Sequence, residues 1–373
     1  MFFKDVIGQE KLKAHLIKEV INEKVSHAQL FMGKSGYGSL PLALAFVQYL
    51  FCENKQENES CGACDSCHQT QKLEHPDLHF SFPTVLAESK TSSPLMKEWR
   101  DQVKENPYFS LNTWVKRIDP KKERKPIIGT DESLEIVKKL SLKAFKGGYK
   151  VMVIWMAEEM NTTCANKLLK ILEEPTPNTL FILVAESNDR MLQTILSRSQ
   201  VLQLPRIEWN EIAKHLRKVK NVSPSLIDSI SGRAEGDLLE AIQLTSSGQT
   251  QNEYHDEFIQ LMRVCYKKSV LDMISWAEDI ASKKSAHQKE FLKYALHMFR
   301  QSILKNYSGE VLIRVSEEED SFLQKFAQFI TGKNIQGFTE TFSEAHYHLE
   351  RNANPKILFT SLCFQVMRYI HKG

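Results

Sequence analysis

The sequence predicts an α/β fold built on a parallel sheet in its N-terminal half, followed by an all-helical C-terminal part. Three observations predict this division. Up to about residue 205, short continuous apolar runs, typical of strands buried on both faces of a sheet, alternate with helical patterns. A glycine-rich turn joins the first apolar run to a helix. From Trp209 onward, the apolar residues recur at helical spacing instead.

The overall composition is that of a globular chain with more than one domain. Its 373 residues suggest two or three domains, at roughly 150 residues each. The net charge of +3 gives no general affinity for nucleic acid. No apolar run approaches the ~20 residues that cross a bilayer, and the N-terminus is charged too early for a signal peptide. We therefore expect a cytoplasmic protein without membrane contacts, whose cysteines are thiols or metal ligands.

The glycine-rich turn at residues 33–40 has the position and spacing of a phosphate-binding loop. It follows an apolar strand and opens a helix, which is the context that the motif G-x-x-x-x-G-K-[ST] requires. The turn contains three glycines: Gly33, Gly36 and Gly38. Ser39, however, stands where the motif's lysine would reach the phosphates, and Leu40 stands where a hydroxyl would hold Mg²⁺. Lys34 is a poor substitute, so the turn is either a degenerate phosphate site or an ordinary strand–helix connection.

A group of four cysteines follows in the pattern C-x8-C-x2-C-x2-C: Cys52, Cys61, Cys64 and Cys67. Four thiolates can close a tetrahedral zinc shell, and C-x2-C spacing points two sulfurs at one ion. A redox C-x-x-C site would not need overlapping pairs and a fourth cysteine. We therefore predict one structural Zn²⁺ on these four residues. His68, His75 and His79 lie nearby and could supply a ligand, but the presence of four cysteines favours surface or loop histidines. A closed four-thiolate shell has no position for substrate, so the zinc braces a loop.

The first third of the chain also contains two helices, one strand and a long insertion. Apolar positions recur at helical spacing over residues 8–23 and again over Ser39–Phe51, and Leu78–Phe82 is a predicted strand. Residues 84–130 are rich in Ser, Pro and Lys and are predicted to be irregular. Acidic residues dilute their basic run at 119–126, which favours a solvated surface insertion over contact with a nucleic-acid backbone.

The second part of the sheet region alternates helices and strands. A helix is predicted from Thr130, as its N-cap, to Phe145, and a second one covers Thr162–Glu173. Val151–Met156 and Leu180–Ala185 are continuous apolar runs that predict buried strands. This alternation predicts right-handed βαβ units and a doubly wound sheet, in which functional groups lie at the carboxyl ends of the strands.

The C-terminal part is predicted to be helical throughout. Residues 209–245 have the pattern of short helices, and residues 250–373 of longer ones. Ser316 and Glu319 form a capping box that starts one helix. Its apolar stripe, which includes Phe322 and Phe326, indicates core packing or a subunit seam.

Six sequence motifs, in chain order, resemble the delta-prime family of subunits of the bacterial DNA polymerase III clamp loader, which are AAA+ proteins related to the gamma/tau motor subunits. The motifs are Ile7–Glu10, His27-Ala28, the degenerate turn, the four-cysteine insert followed by His75-Pro76-Asp77, Ala165–Pro175, and Ser197-Arg198-Ser199. The resemblance is close over residues 1–205 and extends only to the layout beyond them.

The resemblance implies three domains. Residues 1–206 would be a RecA-like AAA+ domain that carries a zinc module at about 52–79 and an insertion at about 84–130. Residues 207–248 would be a small helical lid, and residues 249–373 a helical collar through which subunits associate.

The resemblance also implies a function and two sites. Family members form a circular assembly with gamma/tau and delta subunits, which opens a sliding clamp and places it on primer-template DNA. Delta-prime subunits generally act as a rigid end piece without a working ATP site. Arg198 matches the arginine finger that the family offers to a neighbouring ATPase subunit. Counting back from Asn166 places the Mg²⁺-binding and catalytic acids of related ATPases at Trp155 and Met156. We therefore expect no functional ATP site and no intrinsic enzyme activity.

Two other functions are compatible with parts of the pattern. An active clamp-loader ATPase would need Glu158 and Glu159 as its acidic pair and Lys34 as its phosphate-binding lysine. A zinc-containing nucleic-acid-binding module would use the basic run in the insertion. Nucleotide binding by the isolated chain tests the first alternative, and steeply salt-dependent DNA binding tests the second.

Overall fold

The computed structural model describes residues 1–120, 124–218, 224–246, 248–307 and 312–372. The chain divides into two compact units. The sheet unit comprises residues 1–212 together with 236–240, and the helical unit comprises residues 213–235 together with 241–373.

The sheet unit is built on five parallel strands. They are β1 (Ala28–Met32), β2 (Leu78–Ser81), β3 (Lys150–Trp155), β4 (Thr179–Ala185) and β5 (Gln200–Gln203). Their order across the sheet is β2-β3-β4-β1-β5, and every neighbouring pair is parallel. The predicted parallel sheet is therefore confirmed, and the carboxyl ends of all five strands lie at one edge.

Helices cover both faces of this sheet. They are α1 (Glu10–Ile21), α2 (Ser39–Phe51), α3 (Asp65–Gln71), α4 (Met96–Glu105), α5 (Leu111–Ile118), α6 (Thr130–Ser141), α7 (Thr162–Glu173) and α8 (Gln193–Leu196). Successive residues of a strand point to opposite faces. In β3, accordingly, Val153 and Trp155 pack in one hydrophobic core, while Met152 and Ile154 pack in the other.

The insertion at residues 84–130 is not irregular, so that prediction is wrong. It contains α4 and α5, whose buried residues Trp99–Val103 and Trp114–Ile118 are pairs spaced four apart along a helix. The two tryptophan rings meet edge to face with centroids 5.5 Å apart, and both are fully buried. A few buried apolar side chains therefore stabilise the fold of a segment whose overall composition is polar. Residues 121–123 of the basic run lie outside the described residues.

Helix α6 also differs from its prediction at both ends. Thr130 is its first helical residue rather than its N-cap, which is Gly129. The helix ends at Ser141 instead of Phe145, because the Lys150 ammonium donates to the carbonyls of Leu140 and Leu142 there.

The helical unit contains a single large core in its described part. Its helices are α10 (Pro224–Arg233), α12 (Gly248–Lys267), α13 (Val270–Ser282), α14 (Ser285–Tyr307), α15 (Glu317–Phe326), α16 (Ile335–Glu350) and α17 (Pro355–Ile370). Two more helices, α9 (Trp209–Lys218) and α11 (Leu238–Ser246), contribute residues to both units. The predicted capping box is confirmed: Glu319 N–H donates to Ser316 Oγ at 3.3 Å, and Ser316 N–H donates to Glu319 Oε2 at 2.7 Å. Across the ranges described, no helix is long and apolar enough to cross a membrane.

Candidate functional site

The glycine-rich turn has the predicted strand–turn–helix context. Strand β1 ends at Met32, a single 3-10 turn covers Ser35–Tyr37, and α2 begins at Ser39. Gly38 has a φ of +89°, which favours glycine because other residues strain there. The backbone therefore bends sharply at the carboxyl edge of the sheet, where a phosphate-binding loop would lie.

Some of the backbone N–H groups that such a loop would offer to phosphate are used within the chain. Four of them have acceptors: Gly33 N donates to Ala185 O at 2.9 Å, Ser35 N to Glu186 Oε1 at 2.9 Å, Tyr37 N to Lys34 O at 2.8 Å, and Gly38 N to Ser35 O at 3.2 Å. The Ser35 hydroxyl donates to the same Glu186 oxygen at 2.5 Å. One carboxylate oxygen of Glu186 therefore accepts two hydrogen bonds from the turn.

The start of α2 offers little to an anion. Ser39 and Leu40 are buried, and the third helical residue is Pro41, which has no N–H group. A helix normally presents its first unpaired N–H groups to a bound anion. The proline removes one of them here, beyond the loss of the lysine and the hydroxyl.

A second carboxylate, that of Asp237, packs against the turn. A Cβ atom placed on Gly36 would lie 1.7 Å from Asp237 Oδ1, so only glycine fits at this position. Asp237 Oδ1 also accepts from Leu239 N at 3.0 Å, at the start of α11. Burial raises the pKa of Asp237, and the Lys34 ammonium partly opposes that shift. Glycine at position 36 therefore allows the start of α11, rather than a phosphate, to approach the turn closely.

The insertion supplies an aromatic side chain, Tyr108, on the other side of the turn. A Cβ atom on Gly38 would lie 3.2 Å from the Tyr108 ring and hydroxyl. The Tyr108 hydroxyl accepts from the Ile7 backbone N–H at 2.9 Å. Burial raises the pKa of Tyr108 to about 12, so the hydroxyl stays protonated at neutral pH.

The end of β3 is apolar where related ATPases would place acids. Trp155 is buried, and its ring centroid lies 4.8 Å from that of Phe109 and 5.3 Å from that of Trp99. Met156 is buried too and adopts a left-handed conformation with a φ of +55°. The side chains at these two positions fill the core, and neither can bind a metal ion through oxygen.

Glu158 and Glu159, which follow after Ala157, are buried carboxylates with partners inside the chain. Glu158 Oε1 accepts from Glu186 N at 2.8 Å, and Glu159 Oε1 lies 2.6 Å from Arg190 Nη1. Burial, with a contribution from the negative charge of Glu186, raises the pKa of Glu158 to about 6. The two carboxylates thus support the loop after β4.

The four predicted metal-binding cysteines come together. Cys52 is the C-cap of α2 and Cys64 the N-cap of α3, and all four Sγ atoms lie within 4.8 Å of one another. Cys61 N–H donates to Cys52 Sγ at 3.2 Å, and Cys67 N–H donates to Cys64 Sγ at 3.5 Å. Backbone N–H groups of Ala63 and Cys64 lower the pKa of Cys61 to about 6. The cluster could therefore hold a thiophilic metal ion. His75 instead stacks on Phe51, with centroids 4.1 Å apart.

Arg198 lies on the short turn between α8 and β5. Its Nε and Nη2 atoms lie 2.6 and 2.5 Å from Glu173 Oε1, and its Nη1 donates to the Thr194 carbonyl at 2.9 Å. About a third of the side chain is exposed. The end of α7 therefore holds the guanidinium at the surface of the sheet unit.

Glu186, Asp237 and Tyr108 were missed as site residues in the sequence. Glu186 directly follows β4, so the rule that functional groups lie at carboxyl ends of parallel strands would have indicated it. No sequence pattern indicated Asp237 or Tyr108, which approach the turn from distant parts of the chain.

Together these features define a class: a parallel α/β protein with a degenerate phosphate-binding loop and a four-cysteine cluster. A family model described as DNA polymerase III, delta subunit, matches residues 8–208, and the chain belongs to this family. This match, together with the delta-prime relatives described next, confirms the resemblance to delta-prime subunits.

Two delta-prime subunits agree with this assignment. The chain is 27% identical to the delta-prime subunit of DNA polymerase III from Bacillus subtilis over 260 residues, covering 70% of this chain and 66% of that protein. It is 32% identical to the delta-prime subunit from Haemophilus influenzae over 208 residues, covering 56% and 51%. The matched region thus spans between half and two thirds of these relatives. A DNA polymerase III gamma subunit-related protein of Thermotoga maritima aligns over 96% of this chain and 99% of its own, with 15% identity and a TM-score of 0.35.

Proposed function

We propose that this protein is a non-hydrolysing delta-prime subunit of a DNA polymerase III clamp loader. In the cytoplasm, it would join gamma/tau and delta subunits and help to place a sliding clamp on primer-template DNA during replication. Family membership supports the assignment. The observation that carries the non-hydrolysing part is the glycine-rich turn, which lacks the lysine and the hydroxyl and in which four backbone N–H groups donate to acceptors of the same chain.

The proposed domains follow the family layout. Residues 1–206 form an AAA+ domain, residues 207–248 a lid and residues 249–373 a collar. The parallel sheet and the helical C-terminal part support the first boundary, whereas the two compact units do not separate residues 207–248 from residues 249–373. Without an enzyme activity of its own, the subunit would contribute to the polymerase holoenzyme through its contacts with the other subunits and through the Arg198 guanidinium.

We further propose that Cys52, Cys61, Cys64 and Cys67 hold one structural Zn²⁺. The donor set fits this ion, because zinc takes four thiolates in a tetrahedron and the four sulfurs already surround one point. Two N–H···S hydrogen bonds, one to Cys52 Sγ and one to Cys64 Sγ, help to hold the sulfurs in this arrangement. The zinc would tie the end of α2 to the start of α3.

We propose that Arg198 is the arginine finger for a neighbouring ATPase subunit. The planar guanidinium suits the charge that develops on a transferring phosphoryl group. Glu173 and the Thr194 carbonyl hold it in one orientation, so little side-chain entropy remains to be lost when it engages the neighbour. Such fingers contribute roughly 10³–10⁵ in rate in GTPases. We expect a smaller effect here, because several ATP sites share the work.

The contacts at the sheet edge favour this function over an active ATPase. Glu158 and Glu159 each use one carboxylate oxygen in a contact within the chain, with the Glu186 N–H group and with Arg190, which weakens them as an acidic pair for Mg²⁺. The third function is nucleic-acid binding by the lone chain. Part of the basic run that it would use lies outside the described residues. The segment around that run is anchored by buried tryptophans.

The first test is reconstitution with gamma/tau and delta subunits. We expect the chain alone to show no ATP turnover. The Arg198→Ala variant should assemble normally, as judged by gel filtration, but should lower clamp- and DNA-stimulated ATP turnover of the assembly by about tenfold or more.

The control is Lys18→Ala, which removes an exposed positive charge on α1 and should leave turnover unchanged. Unchanged turnover in the intact Arg198→Ala assembly would argue against the finger. Failure of the wild-type chain to co-purify with the other subunits would argue against the clamp-loader function itself.

A further inference from the structure

We propose that the chain carries a built-in substitute for a nucleotide: Glu186 and Asp237 occupy the phosphate end of the degenerate site, and Tyr108 from the insertion occupies its other end. This inference deepens the proposed non-hydrolysing function and rests on it. It also assigns a role to the insertion at residues 84–130. The site would be closed by groups of its own chain as well as lacking catalytic residues.

The phosphate end is occupied by negative charge. A phosphate-binding loop works because its backbone N–H groups converge on an oxygen anion. Here Ser35 N–H and Ser35 Oγ converge on one oxygen of Glu186, at 2.9 and 2.5 Å. The carboxylate therefore takes the hydrogen bonds that a phosphate oxygen would take.

Asp237 closes the same turn from a second direction. Its Oδ1 lies directly against Gly36, while the same oxygen caps α11 by accepting from Leu239 N. A polyphosphate approaching this turn would meet two carboxylates, whose charge Lys34 offsets in part. Like charges in a partly buried site repel strongly, since solvent screens them poorly there.

The other end is occupied by a ring. Tyr108 packs on Gly38, and its hydroxyl accepts a hydrogen bond from the Ile7 backbone N–H, just before α1 begins. Phe109, the next residue, stacks near Trp155 at the end of β3. The loop between α4 and α5 thus places adjacent aromatic residues over the turn and over the strand end.

Buried tryptophans anchor the insertion that carries Tyr108 to the rest of the sheet unit. Trp99 and Trp114 are fully buried, and the Trp114 indole donates to the Pro83 carbonyl at 2.8 Å. Both tryptophans pack against Phe82, at centroid distances of 4.4 and 5.0 Å. The two helices therefore hold the Tyr108 loop in place against the edge of the sheet.

The experiment replaces the two carboxylates by neutral acceptors, which keep the local fold but compete with a phosphate oxygen for the same N–H and O–H donors less well than a carboxylate does. In the Glu186→Gln/Asp237→Asn double variant, an amide oxygen can still accept from Ser35 and asparagine can still cap α11. The probe is inorganic tripolyphosphate, titrated by isothermal calorimetry into the full-length chain. We expect the double variant to bind it at least about tenfold more tightly than the wild type does.

The matched control is Glu88→Gln/Asp101→Asn, which changes the net charge equally at two exposed positions within the insertion. We expect it to bind tripolyphosphate as weakly as the wild type. Equal gains in both double variants, or no gain in a folded Glu186→Gln/Asp237→Asn protein, would overturn the inference.

A second measurement needs no change at the phosphate end. Amide hydrogen exchange should show the Ile7 and Ser35 N–H groups protected in the wild type. Tyr108→Phe, which keeps the ring and removes the hydroxyl, should accelerate exchange at Ile7 alone by about tenfold. Rapid exchange of both amides in the wild type would overturn the inference even if the double variant failed to fold.

These outcomes are distinguishable from failure of the proposed function. Mg²⁺-dependent ATP binding with turnover by the wild-type chain would refute both. An inert wild type together with an inert, folded double variant would refute the built-in substitute alone and leave the non-hydrolysing function standing.

Discussion

The Glu158 carboxyl group sits at the sheet edge beside two other charged groups and holds its proton more tightly than a free glutamate does. Burial and the negative charge of Glu186 raise its pKa from 4.5 to about 6, while Arg190 acts in the opposite direction. A folded state that binds a proton more tightly than the unfolded state loses stability as pH rises. The loss begins near pH 4.5 and is complete above pH 6.

Replacing this group by a neutral isostere should therefore stabilise the protein only at higher pH. We expect Glu158→Gln to raise the free energy of unfolding by about 1–2 kcal/mol at about pH 7.5, and by much less at about pH 4.5. Urea unfolding at the two pH values measures this difference. Exposed Glu88→Gln is the control and should show no such dependence on pH. An equal effect of Glu158→Gln at both values would contradict the assignment.

For single residues, the sequence revealed features that depend on neighbours along the chain, but it did not reveal contacts with distant residues. The loss of the lysine and the hydroxyl at Ser39 and Leu40 is visible in the motif itself. The contact of Tyr108 with Gly38 is not, because it joins residues 70 positions apart through the packing of two helices. Local patterns carry no information about which distant side chain fills a site.

At the scale of elements, the four-cysteine cluster joins the end of α2 to the start of α3. Helix α3 is only seven residues long and mostly polar. Helices this short are not stable alone. The connection to α2 through a shared metal ion would supply what local propensity does not, as it does in other small metal-bound modules.

Metal removal should therefore destabilise this region. We expect about one zinc per chain, and we expect a strong chelator to lower the free energy of unfolding by at least ~2 kcal/mol, which corresponds to several degrees in Tm. Cys61→Ser should lower both zinc content and stability, and chelator should then have little further effect. Zinc analysis combined with thermal unfolding measures both. A chelator-treated protein with unchanged Tm and no zinc before treatment would contradict the prediction.

The elements themselves were predictable where apolar periodicity was strong. Strands β3 and β4 are buried at every residue, so their continuous apolar runs predicted them within one residue at each end. The helices α4 and α5 were missed because polar residues make up most of α4 and half of α5. Only two anchored pairs fold them, and a window average hides such pairs.

At the scale of the whole molecule, the order of sheet followed by helices was visible in the sequence, but the division into units was not. The sheet unit takes back residues 236–240 after the chain has already entered the helical unit. Asp237 belongs to that returning segment, which places it at the glycine-rich turn. A segment of five residues has no pattern of its own that could predict such a return.

The two units have separate hydrophobic cores within the described residues, so each should respond to damage in its own core. Phe299 is fully buried in the helical unit, stacked on Phe338 at 4.6 Å and edge to face with Phe342 at 5.0 Å. Phe299→Ala should cost about 3–5 kcal/mol, since it leaves a cavity. Native-state hydrogen exchange should then show weaker protection in α14 and α16, with protection in β3 and β4 nearly unchanged. The reciprocal variant Ile182→Ala, in the middle of β4, should weaken the strands by about 2–5 kcal/mol and spare those helices. If either variant lowered protection equally in both units, the chain would unfold as one cooperative body, and the separate cores would have no energetic meaning.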